Sequence, residues 1–296
     1  MSPKPLILVT ALAIALIGPT SEAVARPLRN TPQSPTSVDS LLLKVQQAIE
    51  EHRYVDASHL LANARMDGIT DPRLPLASGN LNLAQGRFSN ALEAFRLAQR
   101  TPLLRAESLE GQGLALMALE QHQAAEPLLE QAVAANAQAW RAWNALGTIY
   151  DRRGDWQRSN LAYDQALVPS NGSAILLNNR GYSRLLQGQR AQAISDFIAA
   201  LTKEPAMTVA RRNLRLAMAL EGDYDRALAG GTPLEQSTLL NNAGFAAAVR
   251  GDYQKANELL NKALSVRATY YERAAENLKL VSNLSTDQRI RPDGQH

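Results

Sequence analysis

The sequence Gly222-Asp223-Tyr224-Asp225-Arg226-Ala227 returns almost unchanged as Gly251-Asp252-Tyr253-Gln254-Lys255-Ala256. Related turns begin at Gly86, Gly154 and Gly188, which are separated by 68 and then 34 residues. A period of 34 residues is typical of arrays of helix–turn–helix repeats. A single helix pair buries too little apolar surface to be stable alone, so such pairs must stack on one another. The stretch therefore predicts an all-α protein built from consecutive helical hairpins.

The repeat also has a packing pattern. If Trp140 is the first residue of a 34-residue unit, then Gly147 stands at position 8, Ser159 at position 20 and Tyr163 at position 24. Small residues at positions 8, 20 and 27 allow two antiparallel helices to approach closely, and large residues at positions 4, 7, 11 and 24 fill the space between them. This pattern resembles that of the tetratricopeptide repeat (TPR) family. The resemblance implies a right-handed superhelix of about seven repeats plus a C-terminal capping helix. The seven units begin at Val38, Pro72, Ala106, Trp140, Ala174, Thr208 and Ser237.

One unit departs from the pattern. The unit that begins at Thr208 has Arg215 at position 8, and the next unit begins only 29 residues later, at Ser237. We therefore expect a truncated repeat over residues 208–236, with a shortened second helix and with Gly230, Gly231 and Pro233 in a loop. Two explanations stay open, a local deletion without function and a hinge.

The N-terminal residues predict that the protein is exported. Lys4 precedes an apolar run from Leu6 to Ile17, and Ala23-Val24-Ala25 follows. A basic start, a short apolar run and an A-x-A end are typical of a secretory signal peptide, predicted here over residues 1–25. The alternative is an uncleaved anchor. We expect residues 26–37 to form a flexible linker, residues 38–284 the repeat solenoid, in which the capping helix begins near Tyr271, and residues 285–296 a disordered tail.

The composition and the absence of several motifs argue against catalytic, metal-binding and nucleic-acid-binding sites. The chain has no cysteine, which excludes disulfides, thiolate nucleophiles and cysteine-ligated zinc. None of its four histidines forms an i,i+4 pair with another, and neither a G-x-S-x-G sequence nor a glycine-rich phosphate loop is present. The net charge of +3 comes from scattered Lys and Arg residues, which does not favour nucleic acid binding. We therefore expect no enzyme activity and no catalytic, cofactor-binding or metal-binding residues.

Asparagine recurs on the first helices of repeats four to seven, at positions 5 and 6. An asparagine amide both donates and accepts hydrogen bonds, so a row of them suits an extended peptide. Arg212 could pair with a carboxylate, and position 9 would add apolar contact. The alternative is that asparagine is merely tolerated on a solvated face. The hypothesis is a peptide-binding groove that contains Asn144, Asn178, Asn179, Tyr182, Arg212, Asn213, Leu216, Asn241, Asn242 and Phe245.

The C-terminal repeats carry a more specific resemblance. Leu177-Asn178-Asn179-Arg180-Gly181-Tyr182 is followed by the short unit, by Leu240-Asn241-Asn242-Ala243-Gly244-Phe245 and by Tyr270-Tyr271-Glu272-Arg273-Ala274-Ala275-Glu276-Asn277-Leu278. This succession, over about residues 170–280, resembles the TadD family of Flp (type IVb, tight-adherence) pilus assembly proteins. The resemblance implies a non-catalytic envelope protein that supports assembly of the pilus machine, with the secretin or associated envelope proteins as partners.

Many members of that family are lipoproteins with a cysteine just after the signal peptide, and this chain has none. The expectation is therefore a periplasmic scaffold without cofactors, held at a membrane only by its partners or by an uncleaved signal anchor. Two alternatives remain. One is a periplasmic TPR chaperone or adaptor for other cell-envelope machinery, and the other is an accessory domain that gates a catalytic partner.

Overall fold

A computed structural model describes residues 37–230, 232–266 and 271–290. Within these ranges the secondary structure consists of fifteen α-helices and one short 3₁₀ helix, without a strand. The predicted signal peptide and residues 26–36 of the predicted linker lie outside these ranges. Of the helices in the described part of the chain, none has the length and apolar character that a membrane span requires.

The helices follow one another as hairpins, in which a first and a second helix alternate. The hairpins of the first half are α1 (Ser37–Glu50) with α2 (Tyr54–Met66), α3 (Arg73–Ala84) with α4 (Phe88–Ala98), α5 (Arg105–Ala118) with α6 (His122–Ala135), and α7 (Trp140–Arg153) with α8 (Trp156–Leu167). The 3₁₀ helix Pro102–Leu104 precedes α5. The hairpins of the second half are α9 (Ala174–Leu186) with α10 (Arg190–Lys203), α11 (Thr208–Glu221) with α12 (Tyr224–Leu228), and α13 (Pro233–Val249) with α14 (Tyr253–Ser265), and α15 (Glu272–Ile290) comes last.

The chain divides into two compact units, with the boundary between Asn179 and Arg180 inside α9. In the first unit the main core is built around Phe95, Leu129 and Leu146, which are at most 1% exposed. In the second unit the main core contains Phe197 and Leu240. Each unit therefore has a hydrophobic core of its own.

A close contact between a glycine and a large side chain recurs in the hairpins. A Cβ atom built on Gly147 of α7 would lie 2.8 Å from the ring of Tyr163 on α8, and one built on Gly181 would lie 2.9 Å from the ring of Phe197. Phe95 occupies a tighter place, because Cβ atoms on both Gly79 and Gly111 would lie 2.5 Å from its ring. The ring of one second helix thus fills the space that the absent side chains of two successive first helices leave free.

The turn inside each hairpin has a left-handed residue at repeat position 15. Five of these residues are glycines, as the sequence predicts. The other two are His52 and Glu120, with φ of 58° and 60°, values that cost an L-residue energy. The full set is His52, Gly86, Glu120, Gly154, Gly188, Gly222 and Gly251.

Two predicted boundaries are wrong. Pro233 is not in a loop but begins α13, since proline lacks an N–H and its fixed φ suits the first helical residue. The Thr232 hydroxyl accepts a hydrogen bond from the Glu235 N–H, and the Glu235 carboxylate accepts one from the Thr232 N–H, which completes a capping box. At the other end, α15 continues past Leu284 to Ile290, because no helix breaker occurs before Pro292. Residues 291–296 lie outside the described ranges.

We predict that Gly147→Ala destabilises the protein by about 1–3 kcal/mol, because the added methyl group overpacks the interface. The Tyr163 ring cannot retreat freely, since its hydroxyl donates a buried hydrogen bond to Asp151 Oδ2 at 2.8 Å. In an open helix the same change stabilises by about 1 kcal/mol. Chemical denaturation measures the sign, and an increase in unfolding free energy would contradict the proposed packing.

We predict that His52→Gly stabilises the protein by about 0.5–1 kcal/mol. Glycine relieves the left-handed strain, and this gain exceeds the cost of its greater conformational entropy in the unfolded chain. His59 offers the matched control, since it lies within α2. There, His59→Gly lowers stability by about 0.5 kcal/mol through helix propensity. Thermal unfolding of the two variants measures whether their stability changes have opposite signs. A loss of stability in both would count against left-handed strain at His52.

Candidate functional site

The second helix of the sixth hairpin is much shorter than the others. It contains five residues, whereas the other second helices contain between 11 and 14. The same hairpin lacks both partners of the glycine–ring contact. Arg215 stands at position 8, and position 24, sixteen residues later, is Gly231, which lies outside the described residues. The sequence predicted a shortened second helix in this repeat, and α12 confirms it.

A cavity of about 290 Å³ lies beside α12, between α11 and α13. One face of α11 contributes four residues with helical spacing and one face of α13 contributes five, while α12 contributes only Ala227. The floor is apolar, and a few polar groups stand around it. The lining consists of Arg212, Arg215, Leu216, Ala219, Ala227, Glu235, Thr238, Leu239, Asn242 and Ala243.

Two guanidinium groups of α11 line the cavity. Arg215 Nη2 donates a hydrogen bond to the carbonyl oxygen of Ala229 at 2.9 Å, just beyond the end of α12. Arg215 thereby satisfies a carbonyl near the point where the helix stops. Arg212 is exposed, and within the described ranges its guanidinium forms neither a hydrogen bond nor an ion pair. One of the two charges is thus anchored and the other is available.

The carboxylate of Glu235 is held by the start of α13. It accepts hydrogen bonds from the N–H and the hydroxyl of Thr232 at 2.9 and 3.0 Å. These bonds, first of all the one from the Thr232 N–H, lower the pKa of Glu235, and the positive charges of Arg215 and Arg211 act in the same direction. Glu235 is therefore ionised at neutral pH and engaged with its own helix.

The structure places the asparagines of the first unit inside the protein. Asn144, Asn178 and Asn179 are at most 3% exposed. Asn179 Nδ2 donates to Asn144 Oδ1 at 3.1 Å, and Asn178 Nδ2 donates to Asn179 Oδ1 at 3.2 Å. Glu110, at position 5 of the third repeat, similarly accepts hydrogen bonds from the Ala142 N–H and from Arg141 Nη2. Position 5 thus bridges successive first helices.

The second unit repeats this arrangement. Asn241 Nδ2 donates to Asn242 Oδ1 at 3.3 Å, and Asn277 of α15 donates to Asn241 Oδ1 at 2.9 Å. Asn213 and Asn241 are both 2% exposed. A bound peptide cannot reach the buried asparagines without opening the helix packing. Burial therefore rules out direct peptide contact for five of the predicted groove residues: Asn144, Asn178, Asn179, Asn213 and Asn241.

The other five predicted residues lie in the second unit. Arg212, Leu216 and Asn242 line the cavity together, whereas Tyr182 and Phe245 are half-buried residues outside its lining. The other lining residues were not predicted from the sequence: Arg215, Ala219, Ala227, Glu235, Thr238, Leu239 and Ala243. The signal for them was present, because the 29-residue spacing shortens the helix that would otherwise cover these side chains.

We predict that Asn179→Ala lowers the unfolding free energy by about 1–3 kcal/mol, since it removes the donor to the buried Asn144 carbonyl oxygen. Asn261 is the control, because its amide makes only an exposed bond to the Asn257 carbonyl within α14. Asn261→Ala changes stability by less than about 0.5 kcal/mol. Equal effects of the two substitutions in urea unfolding would show that the buried amide pair adds nothing.

Comparison with known proteins agrees with the helical hairpins. A tetratricopeptide repeat family model matches residues 110–174. No curated protein sequence matches the chain. Among the solved structures of similar fold is the APC/C hetero-tetramer Cut9–Hcn1, at 16% identity over 83% of this chain and 49% of that chain, with a TM-score of 0.62. The type IV pilus biogenesis factor PilW is similar at 15% identity over 84% of this chain and 100% of that chain, with a TM-score of 0.52. The C-terminal part of a TPR repeat-containing protein from Cytophaga hutchinsonii is similar at 14% identity over 80% of this chain and 99% of that chain, with a TM-score of 0.52. At these identities the likeness shows the fold alone, and the fold is that of TPR proteins.

Proposed function

We propose that the protein is a non-catalytic periplasmic scaffold that supports assembly of a Flp pilus machine and binds partner segments at the cavity between α11 and α13. The cavity is the observation that carries the proposal. It lies within the segment that resembles the TadD family, and it results from the short repeat that forms part of that resemblance. TPR folds are interaction scaffolds, because stacked helical hairpins present an extended binding surface.

The chemistry of the cavity supports protein binding. Its floor combines the buried side chains of Leu216 and Leu239 with small alanines, and its polar groups can orient a bound chain. No three His, Asp or Glu side chains in the described ranges are grouped so that they could hold a metal ion. The fold of the pilus biogenesis factor PilW is compatible with a pilus role.

The cellular location rests on the sequence. A signal peptide over residues 1–25 directs the chain to the periplasm, where the secretin and its associated envelope proteins are within reach. The chain has no cysteine for lipid attachment. We therefore place the mature protein in the periplasm, with outer-membrane association only through its partners.

Deletion of the gene tests the proposal. We expect loss of surface pili and of adherence, with both restored by the full-length protein but not by a variant that lacks residues 2–25. Pili are counted by electron microscopy, and periplasmic fractions are probed for the restored protein. Intact piliation in the deletion strain would refute the pilus role. A defect confined to other envelope machinery would favour the adaptor alternative.

A further inference from the structure

We propose that the cavity beside α12 receives one large apolar side chain from an acidic segment of a partner protein. In this way the partner supplies the residue that the truncated repeat lacks. The inference rests on the proposed function in one respect, that the cavity belongs to an interaction scaffold. It adds the chemistry of the segment that is bound.

The other repeats define what the cavity lacks. At position 24 they carry a leucine, a phenylalanine or a tyrosine, each at most 7% exposed: Leu61, Phe95, Leu129, Tyr163, Phe197 and Leu260. The sixth repeat has Gly231 at this position. The cavity therefore opens beside a helix pair from which the usual large side chain is missing, and a residue of the same kind is the natural occupant.

The floor is shaped for such a residue. Ala219 stands at position 12, where four other repeats have the larger apolar residues Ile49, Leu83, Met117 and Leu185, and the seventh repeat has Ala248. Together with Ala227 and Ala243, Ala219 leaves room above the helix backbones, and all three alanines are at most 3% exposed. Removal of apolar surface from water is the favourable term when a leucine or phenylalanine enters.

The size of the cavity limits the occupant. At about 290 Å³ it lies just below the range of about 300–1,000 Å³ that is typical of small-molecule sites. It is thus suited to one or two side chains rather than to a cofactor. The rest of the bound segment must lie outside, along the exposed residues of α11 and α13.

The positive charge around the cavity favours an acidic sequence in the part of the bound segment that lies outside it. Arg212 is exposed and makes no ion pair within the described ranges, and Arg215 adds a second positive charge. Glu235 carries the only carboxylate among the described lining residues, and this carboxylate is engaged by Thr232. A carboxylate flanking the inserted side chain would pair with Arg212 in a partly desolvated place, where a guanidinium binds well.

Fluorescence anisotropy with labelled peptides tests the proposal on protein purified from the periplasm. The probes have the sequence Glu-Asp-Glu-X-Glu-Asp-Glu, with X as Phe, Leu or Ala. We expect the Phe and Leu peptides to bind roughly ten-fold or more tightly than the Ala peptide, since burial of one such side chain is the main difference. A Lys-Arg-Lys-Phe-Lys-Arg-Lys peptide should not bind. Equal binding of the Phe and Ala peptides would overturn the proposal.

Two substitutions in the protein separate the two parts of the site. Arg212→Glu should weaken the Phe peptide roughly ten-fold or more by charge reversal, whereas Arg211→Glu, next to it on α11 but outside the lining, should have a much smaller effect. Ala219→Leu fills the cavity, so it should abolish the preference for Phe over Ala and raise the melting temperature. Should Ala219→Leu not fold, the Arg212 and Arg211 pair decides, and equal effects of these two would refute the proposal.

Other occupants give other results. Concentration-dependent dimerisation that Ala219→Leu abolishes would overturn the proposal in favour of a second copy of the chain. The peptide measurements do not depend on which machine the scaffold serves. Normal piliation in the deletion strain together with selective peptide binding would refute the pilus role and leave the inference intact. A piliation defect with unselective peptide binding would do the reverse.

Discussion

The contact between a glycine of one helix and a large side chain of the next governs the packing of this protein. Phe95 shows why, because its ring lies against the backbone at both Gly79 and Gly111. A methyl group at either place would overlap the ring, so the glycines set how closely successive helices approach. Close-packed interiors tolerate such overlap poorly. The same contact recurs with Tyr163, Phe197 and Leu260, which is why the hairpins keep a common geometry within each unit.

The irregular repeat can be understood as the loss of this contact. Arg215 is too large for the place of a glycine, and its guanidinium extends instead to the Ala229 carbonyl oxygen. With no large residue opposite, the usual contact cannot form and α12 stops after Leu228, although Tyr224, Ala227 and Leu228 still pack on the core of the second unit. Helices of this length are marginal without tertiary packing. The cavity is the space that remains, and the arginine that accompanies the truncation supplies one of its two positive charges, with Arg212 supplying the other.

Much of the fold could be predicted from the sequence because the repeat constrains it many times over. The hairpin order, the glycine turns and the short α12 follow from the repeat spacing and the residues that recur in it. The start of α13 and the end of α15 were missed, since both depend on local signals outside the repeat pattern. The asparagines were misplaced for a different reason. Periodicity shows which side of a helix a residue occupies, but positions 5 and 6 lie where the inner face meets the next helix. A polar side chain there can face either solvent or a partner amide, and only the packed structure shows that Asn144 and Asn179 face each other.

The hydrogen bond from Arg215 to Ala229 has a consequence for how the site operates. It joins Ala229, just beyond the end of α12, to α11 through the chain's own groups, beside the open cavity. If the proposed partner segment binds there, the helices that line the cavity are already formed, so the entropic cost of association falls mainly on the partner. In the proposed site, neither arrival nor departure of the partner segment would require refolding of α11 or α13.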